Sequence, residues 1–452
     1  MSKNRIGFEQ KKPNTTIFFW RAMLFGTMLF LAIFFLTACN QSSMDIQPAP
    51  VANEIDFLNA ASSKDNGRLP TADAVELTLW TPTFFNPDPE GSNAASDILR
   101  DAYVNFEATH PNVSVNVEPK SEQGGATLYE YISSAYKVAP SILPDIIMLD
   151  SQQLWAIADL GLIPPLSAEE VTALDDVYPF AQEAVAYKDN IYGIPYVANI
   201  LHTVQVRTGA ADVDVASIPS TWSALFESNV PYFFPAGGRN GRGNDTLLLQ
   251  YVGAGGELTN DKSLMNSTAL VDVLEFVSQG IKRQLIPRNV IDFSDVDSAW
   301  LSLGTTQRGF VEISSTLYLQ QRPLIGGSSF SATPTKSGER VTIGRVWAFA
   351  ILSQEPERRA LALELIDKLA APAVLGPWGL SASRLPVHRA ALNSWGNSDA
   401  YYDFVRDELE AAVALPNGTS FVGFSADIHQ ALLAVLSGEI TPEEAVANIE
   451  NQ

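Results

Sequence analysis

Between residues 75 and 150 the hydrophobic period of the chain switches from two to about 3.6 and back, twice over. No other feature of the sequence restricts the fold as much. Val75-Glu76-Leu77-Thr78-Leu79 alternates apolar and polar side chains, the period of a strand. Ile98, Leu99, Ala102, Tyr103 and Phe106 then recur at helical spacing, up to His110-Pro111-Asn112. Val113-Ser114-Val115-Asn116-Val117 returns to strand period, and Leu128, Tyr131, Ile132 and Ala135 mark one face of a second helix. Asp145-Ile146-Ile147-Met148-Leu149-Asp150 is the near-continuous apolar run of a strand covered on both faces. Strand, helix, strand, helix, strand in that order predicts an α/β fold with parallel pairing and right-handed crossovers. In open sheets of this kind ligands sit beyond the carboxyl ends of the strands. Trp80, Thr81, Asp150 and Ser151 fall at those ends.

The remainder reads as more helical. Ser167-Ala168-Glu169-Glu170 and Thr441-Pro442-Glu443-Glu444 fit capping boxes, the second with proline at the first helical position. Ala360–Leu369 and Ile428–Leu436 read as packed helices. At 452 residues the chain favours two folding units over one. Hydrophobic residues at 46% against 18% charged mark a globular composition. A formal charge of −22 argues against a nucleic-acid partner, because phosphate binding needs a basic face. A single cysteine excludes an intrachain disulfide, and His110, His202, His388 and His429 show no ligand spacing, so no metal site is expected.

The first residues concern location. Lys3, Arg5, Lys11, Lys12 and Arg21 precede the apolar run Ala22–Leu36, which is short for a membrane span of about 20 residues. The lone cysteine follows in Leu36-Thr37-Ala38-Cys39, which resembles a bacterial lipobox. That resemblance implies a lipoprotein signal peptide over 1–38 and a lipid-bearing Cys39 as the mature N-terminus. The alternative is an uncleaved anchor, in which Ile17–Trp20 extends the span past Arg21. Turn-forming residues such as Gln47-Pro48-Ala49-Pro50 and Ser62-Ser63-Lys64-Asp65-Asn66-Gly67 predict a flexible tether over 39–74. The basic flank staying inside places the rest of the chain outside the cytoplasm, lipid-anchored to a bacterial membrane.

A set of segments in order resembles the extracellular solute-binding proteins of family 1, the sugar-binding subunits of ABC importers. They begin with the strand ending in Trp80-Thr81, the turn His110-Pro111-Asn112, and Pro144-Asp145-Ile146-Ile147. Tyr192-Gly193-Ile194-Pro195-Tyr196, Pro219-Ser220-Thr221-Trp222, Arg384-Leu385-Pro386-Val387 and Leu436-Ser437-Gly438-Glu439 continue the series. The stretch Phe310–Tyr318 departs from the family pattern, with its aromatic displaced. The resemblance implies a two-lobe fold of the periplasmic-binding-protein type with a central cleft. Three crossings are expected, near Tyr196–Asn199, Phe330–Thr335 and Arg384–Val387. One lobe would combine 75–196 with 336–383, and the other 200–330 with 388–452. It also implies a monomer without a cofactor, partnered by a carbohydrate ligand and ABC permease subunits.

Recognising a sugar takes aromatic planes for its C–H face and a few fixed polar groups for its hydroxyls. Trp80, at a strand's end, and Trp347, near a crossing, are the expected planes. Thr81, Asp150, Ser151, Tyr196, Asn199 and Ser315 are the expected neighbours of the ligand, although Asp150 also suits a helix N-cap. Trp222 opens a helix and is assigned to packing. No Gly-x-Ser-x-Gly, His-Glu-x-x-His or phosphate-loop pattern occurs, so no enzyme is expected. The rival reading is a surface lipoprotein acting as a glycoside hydrolase or other carbohydrate-active enzyme. It requires two cleft carboxyls about 5–9.5 Å apart.

Overall fold

The computed structural model describes residues 74–91, 93–121, 127–171, 174–206, 217–238, 242–304, 309–325 and 329–451. The expected signal peptide, Cys39 and all of the expected tether but Ala74 lie outside the described residues. The strands are β1 (Val75–Pro82), β2 (Val113–Lys120), β3 (Ile146–Asp150), β4 (Ala186–Tyr187), β5 (Asn190–Ile191), β6 (Ile194–Val206), β7 (Tyr232–Phe233), β8 (Gly309–Ser314), β9 (Phe330–Ser331), β10 (Thr342–Ile351), β11 (Leu385–Pro386) and β12 (Ala412–Ala414). The main sheet runs β2-β1-β3-β10-β6-β8-β7.

β1 is parallel to both β2 and β3, as the alternation of periods requires. The helix Ala94–Thr109 makes the first crossover. It starts in a capping box between Asn93 and Ser96 and buries Leu99, Ala102, Tyr103 and Phe106. β3 is covered on both faces: Ile146 and Met148 enter one core, Ile147 and Leu149 the other. Both capping boxes read from the sequence form, since Glu170 N–H donates to Ser167 Oγ at 3.3 Å and Glu444 N–H to Thr441 Oγ1 at 3.2 Å.

Two long strands organise the molecule. The first half of β6 pairs with β10, and Leu201–Val206 pair with β8. Thr342–Gly344 of β10 pair with β12, whereas Trp347–Asp150 through Ile351–Ile146 join β10 to β3. The register between β10 and β6 breaks between Trp347 and Ala348. Both long strands line a first and a second core, and β10 also meets the cluster of Ile147 and Leu149 through Ala348 and Ala350. The first contains Leu77, Leu79, Phe106 and Phe349; the second contains Trp222, Phe234, Leu270 and Phe310, and receives the helix Thr419–Ser437 through Phe424, Ile428 and Leu432. That helix is long and apolar enough to cross a membrane by length and composition, but its apolar face is occupied by this core. Trp222 packs face to face with Phe276 at 4.4 Å between ring centroids.

Phe330–Ser331 pair with Thr203–Val204 of β6, and Val341 and Ile343 lie in the second core. After β11 the chain stays with the first core: Ala391, Leu392 and Trp395 pack there, and Trp395 Nε1 donates to Gly376 O at 2.8 Å. Gly376 makes this approach possible, because a Cβ at that position would lie 2.0 Å from Ser394 Oγ.

Candidate ligand cleft

Along β10 the side chains of Arg345 and Trp347 alone escape full burial. Two residues apart on a strand, they share one face. Arg345 lies opposite Asn199 of β6, and Trp347 lies opposite Asp150 of β3. Directly opposed residues share a sheet face as well. Asp150, Asn199, Arg345 and Trp347 thus form one patch where the long strands change partners.

Arg345 carries most of the charge in this patch. Its Nε and Nη2 donate to the two carboxylate oxygens of Asp245, each at 2.6 Å, and its Nη1 lies 3.6 Å from Asp150 Oδ2. Asp245 opens the helix Asp245–Gly253 in the second core, so one guanidinium links that helix to the end of β3. Burial works against the Arg345 charge, but the two carboxylates hold it above its ordinary range. Burial raises the Asp150 carboxyl above the usual carboxylate range, with Arg345 opposing the shift. Asp150 also accepts a 2.9 Å bond from Gln152 N–H and caps the short helix Ser151–Gln153, the alternative role read from the sequence.

Asn199 Oδ1 accepts from Ser315 Oγ at 2.9 Å and from Thr316 N–H at 3.0 Å. Ser315 Oγ in turn accepts from Ile200 N–H at 3.2 Å, which ties the start of helix Ser315–Gln321 to the middle of β6. Trp347 meets Phe84 edge-on at 5.7 Å. The Arg384 guanidinium lies over both rings, 4.1 Å from the Phe84 centroid and 5.2 Å from that of Trp347. Its Nη1 donates to Thr316 Oγ1 at 3.2 Å.

The other expected site residues lie deeper. Tyr196 is a core residue: it is fully buried among Phe85, Phe349 and Trp378, and its hydroxyl donates to Leu369 O at 3.2 Å. Thr81 is buried and donates to Phe85 O at 2.9 Å. Ser151 and Ser315 are buried. Trp80 packs into the core beside Ile132 and Ile147, and the Lys120 ammonium lies 4.2 Å from its ring centroid. Phe85 and Lys120 close over Thr81 and Trp80 at the end of β1, and Phe85 helps enclose Tyr196, so proximity to a strand end does not give access.

Phe84, Asp245 and the charge on Arg345 and Arg384 were not singled out from the sequence. The signal for Arg345 was its spacing of two from Trp347 on one strand. Chemically the patch offers a ring face, cationic donors and carboxylate acceptors. Asp150 and Asp245 both face the Arg345 guanidinium, an arrangement suited to fixed acceptors.

Residues 101–397 match the model of a family described as bacterial extracellular solute-binding protein. No curated protein matches the chain. Among solved structures the chain is similar to maltose-bound MalE3 of T. maritima, at 20% identity and a TM-score of 0.62, over 83% of this chain and 98% of that one. It is similar to the cyclic alpha-maltosyl-1,6-maltose binding protein of Arthrobacter globiformis at 18% identity and a TM-score of 0.64, over 84% and 97%. An ABC transporter solute binding protein of Thermotoga lettingae, bound with alpha-D-tagatose, gives 20% identity and a TM-score of 0.64, over 84% and 98%. At these identities the likeness shows the two-lobe fold.

Proposed function

Since the chain belongs to the bacterial extracellular solute-binding protein family, we propose that it captures a carbohydrate outside the cytoplasm and delivers it to the permease of an ABC importer. The observation that carries this reading is the Trp347 ring, with Phe84 and Arg384 against it and Asn199 and Asp150 beside it, at the place where β6 and β10 change partners. An aromatic plane ringed by charged and amide groups suits a ligand with an apolar face and a hydroxyl rim. The sugars bound by the similar proteins point the same way.

We divide the chain into two lobes around the first and second cores, joined by β6, β10 and the segment that leads into β12. The ligand sits between them and favours the closed arrangement through its greater affinity for it. The protein acts as a binding component and not as a hydrolase. Cys39 carries the lipid that keeps it at the membrane, with the segment up to Ala74 as tether. A thermal-shift panel of neutral and acidic saccharides tests the reading. A sugar at 100 times its dissociation constant adds about 2.7 kcal/mol of stability; a flat response across the panel would overturn it.

A further inference from the structure

Among the described residues Trp155 is the one tryptophan that packs in none of the three hydrophobic clusters; Trp80, Trp222, Trp300, Trp347, Trp378 and Trp395 all do. It belongs to the helix Leu154–Asp159, which buries Leu154 and Ile157 and leaves Trp155 partly exposed. The Trp155 ring stands 6.3 Å from that of Tyr187, and Tyr187 stands 6.3 Å from Tyr192, with the planes tilted by 50° and 54°. Rings so placed are neither stacked nor edge-to-face, and none covers its neighbour's plane. Tyr187 is carried by the hairpin of β4 and β5, whose turn holds Lys188 and Asp189 at φ of 48° and 64°. Asp159 clamps that hairpin to the helix, accepting from the Tyr187 hydroxyl at 2.9 Å and from Lys188 Nζ at 2.7 Å. The Lys188 ammonium also lies 4.7 Å from the Tyr187 ring centroid, which leaves the indole as the open plane. Both charged side chains face solvent, Asp159 at 41% exposure and Lys188 at 65%.

This aromatic platform adjoins the cleft. Asp150, which lies opposite Trp347, caps the turn that leads straight into the helix. Ser151–Gln153 and Leu154 separate Asp150 from Trp155, a rise of about 9 Å at 3₁₀ and α-helical pitch. Tyr187 abuts the segment entering the helix Thr419–Ser437, since a Cβ on Gly418 would lie 3.9 Å from Tyr187 Cε2. Asn417 fixes that junction: it donates to Ala184 O at 2.9 Å and Ala186 O at 3.0 Å, and accepts from Gln152 Nε2 at 3.3 Å. We propose that Trp155, flanked by Tyr187, Lys188 and Asp159, is an outer saccharide subsite that continues the cleft, so that one oligosaccharide is held at both Trp347 and Trp155. The inference rests on the carbohydrate reading and adds chain length to it. The indole takes the C–H face of an outer sugar ring, while Asp159 accepts from its hydroxyls and Lys188 donates to them. A disaccharide seated on Trp347 is too short to cover both planes, so the protein prefers longer chains.

The test is calorimetry on the full-length protein in detergent. The probes are maltose and maltotetraose, cellobiose and cellotetraose, and mannobiose and mannotetraose. In the series that binds, wild type holds the tetramer at least about tenfold tighter than the dimer, the contribution of one partly covered aromatic plane. Trp155→Ala weakens the tetramer by about tenfold and so removes most of that preference. Trp155→Phe, with a smaller plane, keeps part of it. Asp159→Asn, which releases Lys188 and the hairpin, weakens the tetramer by about threefold or more. Trp347→Ala weakens dimer and tetramer alike. Tetramer affinity unchanged by Trp155→Ala would overturn the outer subsite and leave the carbohydrate reading standing. A wild type that binds both lengths equally would do the same. Equal losses for dimer and tetramer in Trp155→Ala, with a lowered melting temperature, would assign Trp155 to packing. Binding of none of the six probes would count against both the subsite and the carbohydrate reading.

Discussion

Replacing Arg345 with methionine keeps most of the side-chain volume and leaves Asp245 and Asp150 without their shared cation. An exposed ion pair contributes about 0–1 kcal/mol, whereas removing one partner of a buried pair costs about 3–5 kcal/mol. The side chains here are 34% exposed for Arg345, 19% for Asp245 and 22% for Asp150, between those limits. The bidentate geometry, with both bonds at 2.6 Å, moves the expectation toward the buried end. Solvent screening moves it back, so Arg345→Met is expected to cost about 2–3 kcal/mol. Urea unfolding of wild type, Arg345→Met, Asp245→Asn and the double variant closes the cycle. A coupling of about 1.5–2 kcal/mol is expected, because Asp245→Asn removes the charge that Arg345→Met strands. Additive costs, or an Arg345→Met variant within about 0.5 kcal/mol of wild type, would refute the argument that this guanidinium joins the end of β3 to helix Asp245–Gly253.

Three further outcomes follow from other parts of the molecule. Burial pushes the Glu312 carboxyl up to about 7, against the hydrogen bond that the Tyr232 hydroxyl donates to it. A raised folded-state value means stability that is full below about 4.5 and lost as pH rises through about 7, worth about 3 kcal/mol at most; the stability of Glu312→Gln relative to wild type should therefore rise between pH 5 and pH 8 in paired denaturant melts, and a constant difference would contradict it. Cys39→Ser is expected to release the protein from membranes or leave it unprocessed, and mass spectrometry that finds unmodified Cys39 in native membranes would remove the lipid anchor from the account. Small-angle scattering of the fragment Pro70–Gln452 should give a smaller radius of gyration with sugar at saturation, and an unchanged value would contradict closure of the lobes on the ligand.

The βαβαβ start was legible because its strands and helices bury faces set by their own periodicity. β3 could be read as doubly covered from Ile146–Leu149 alone. The later crossings were harder to read, since the partners of β10 depend on contacts far apart in sequence, such as Trp347 with Asp150 and Thr342 with Ala412. The same holds for helix Arg389–Asn393, whose place on the first core depends on the missing side chain of Gly376. In the cleft, Trp347, Asn199 and Asp150 were visible as suitable chemistry near strand ends or crossings. Tyr196 looked equally suitable, but its neighbours Phe85, Phe349 and Trp378 enclose it completely. Arg345 and Arg384 were hidden because a charge in a sequence does not reveal which carboxylates the fold will bring to it.

The most direct measurement of the central claim is calorimetry of Trp347→Ala with whichever saccharide stabilises the wild-type protein. The ring is half-buried at the edge of the first core, edge-on to Phe84 and beneath Arg384, so its removal should cost less than the ~3–5 kcal/mol of a fully buried tryptophan. Losing the plane on which the sugar lies should weaken binding by about tenfold or more. Unchanged affinity together with a large loss of stability would place Trp347 in the core and the ligand elsewhere.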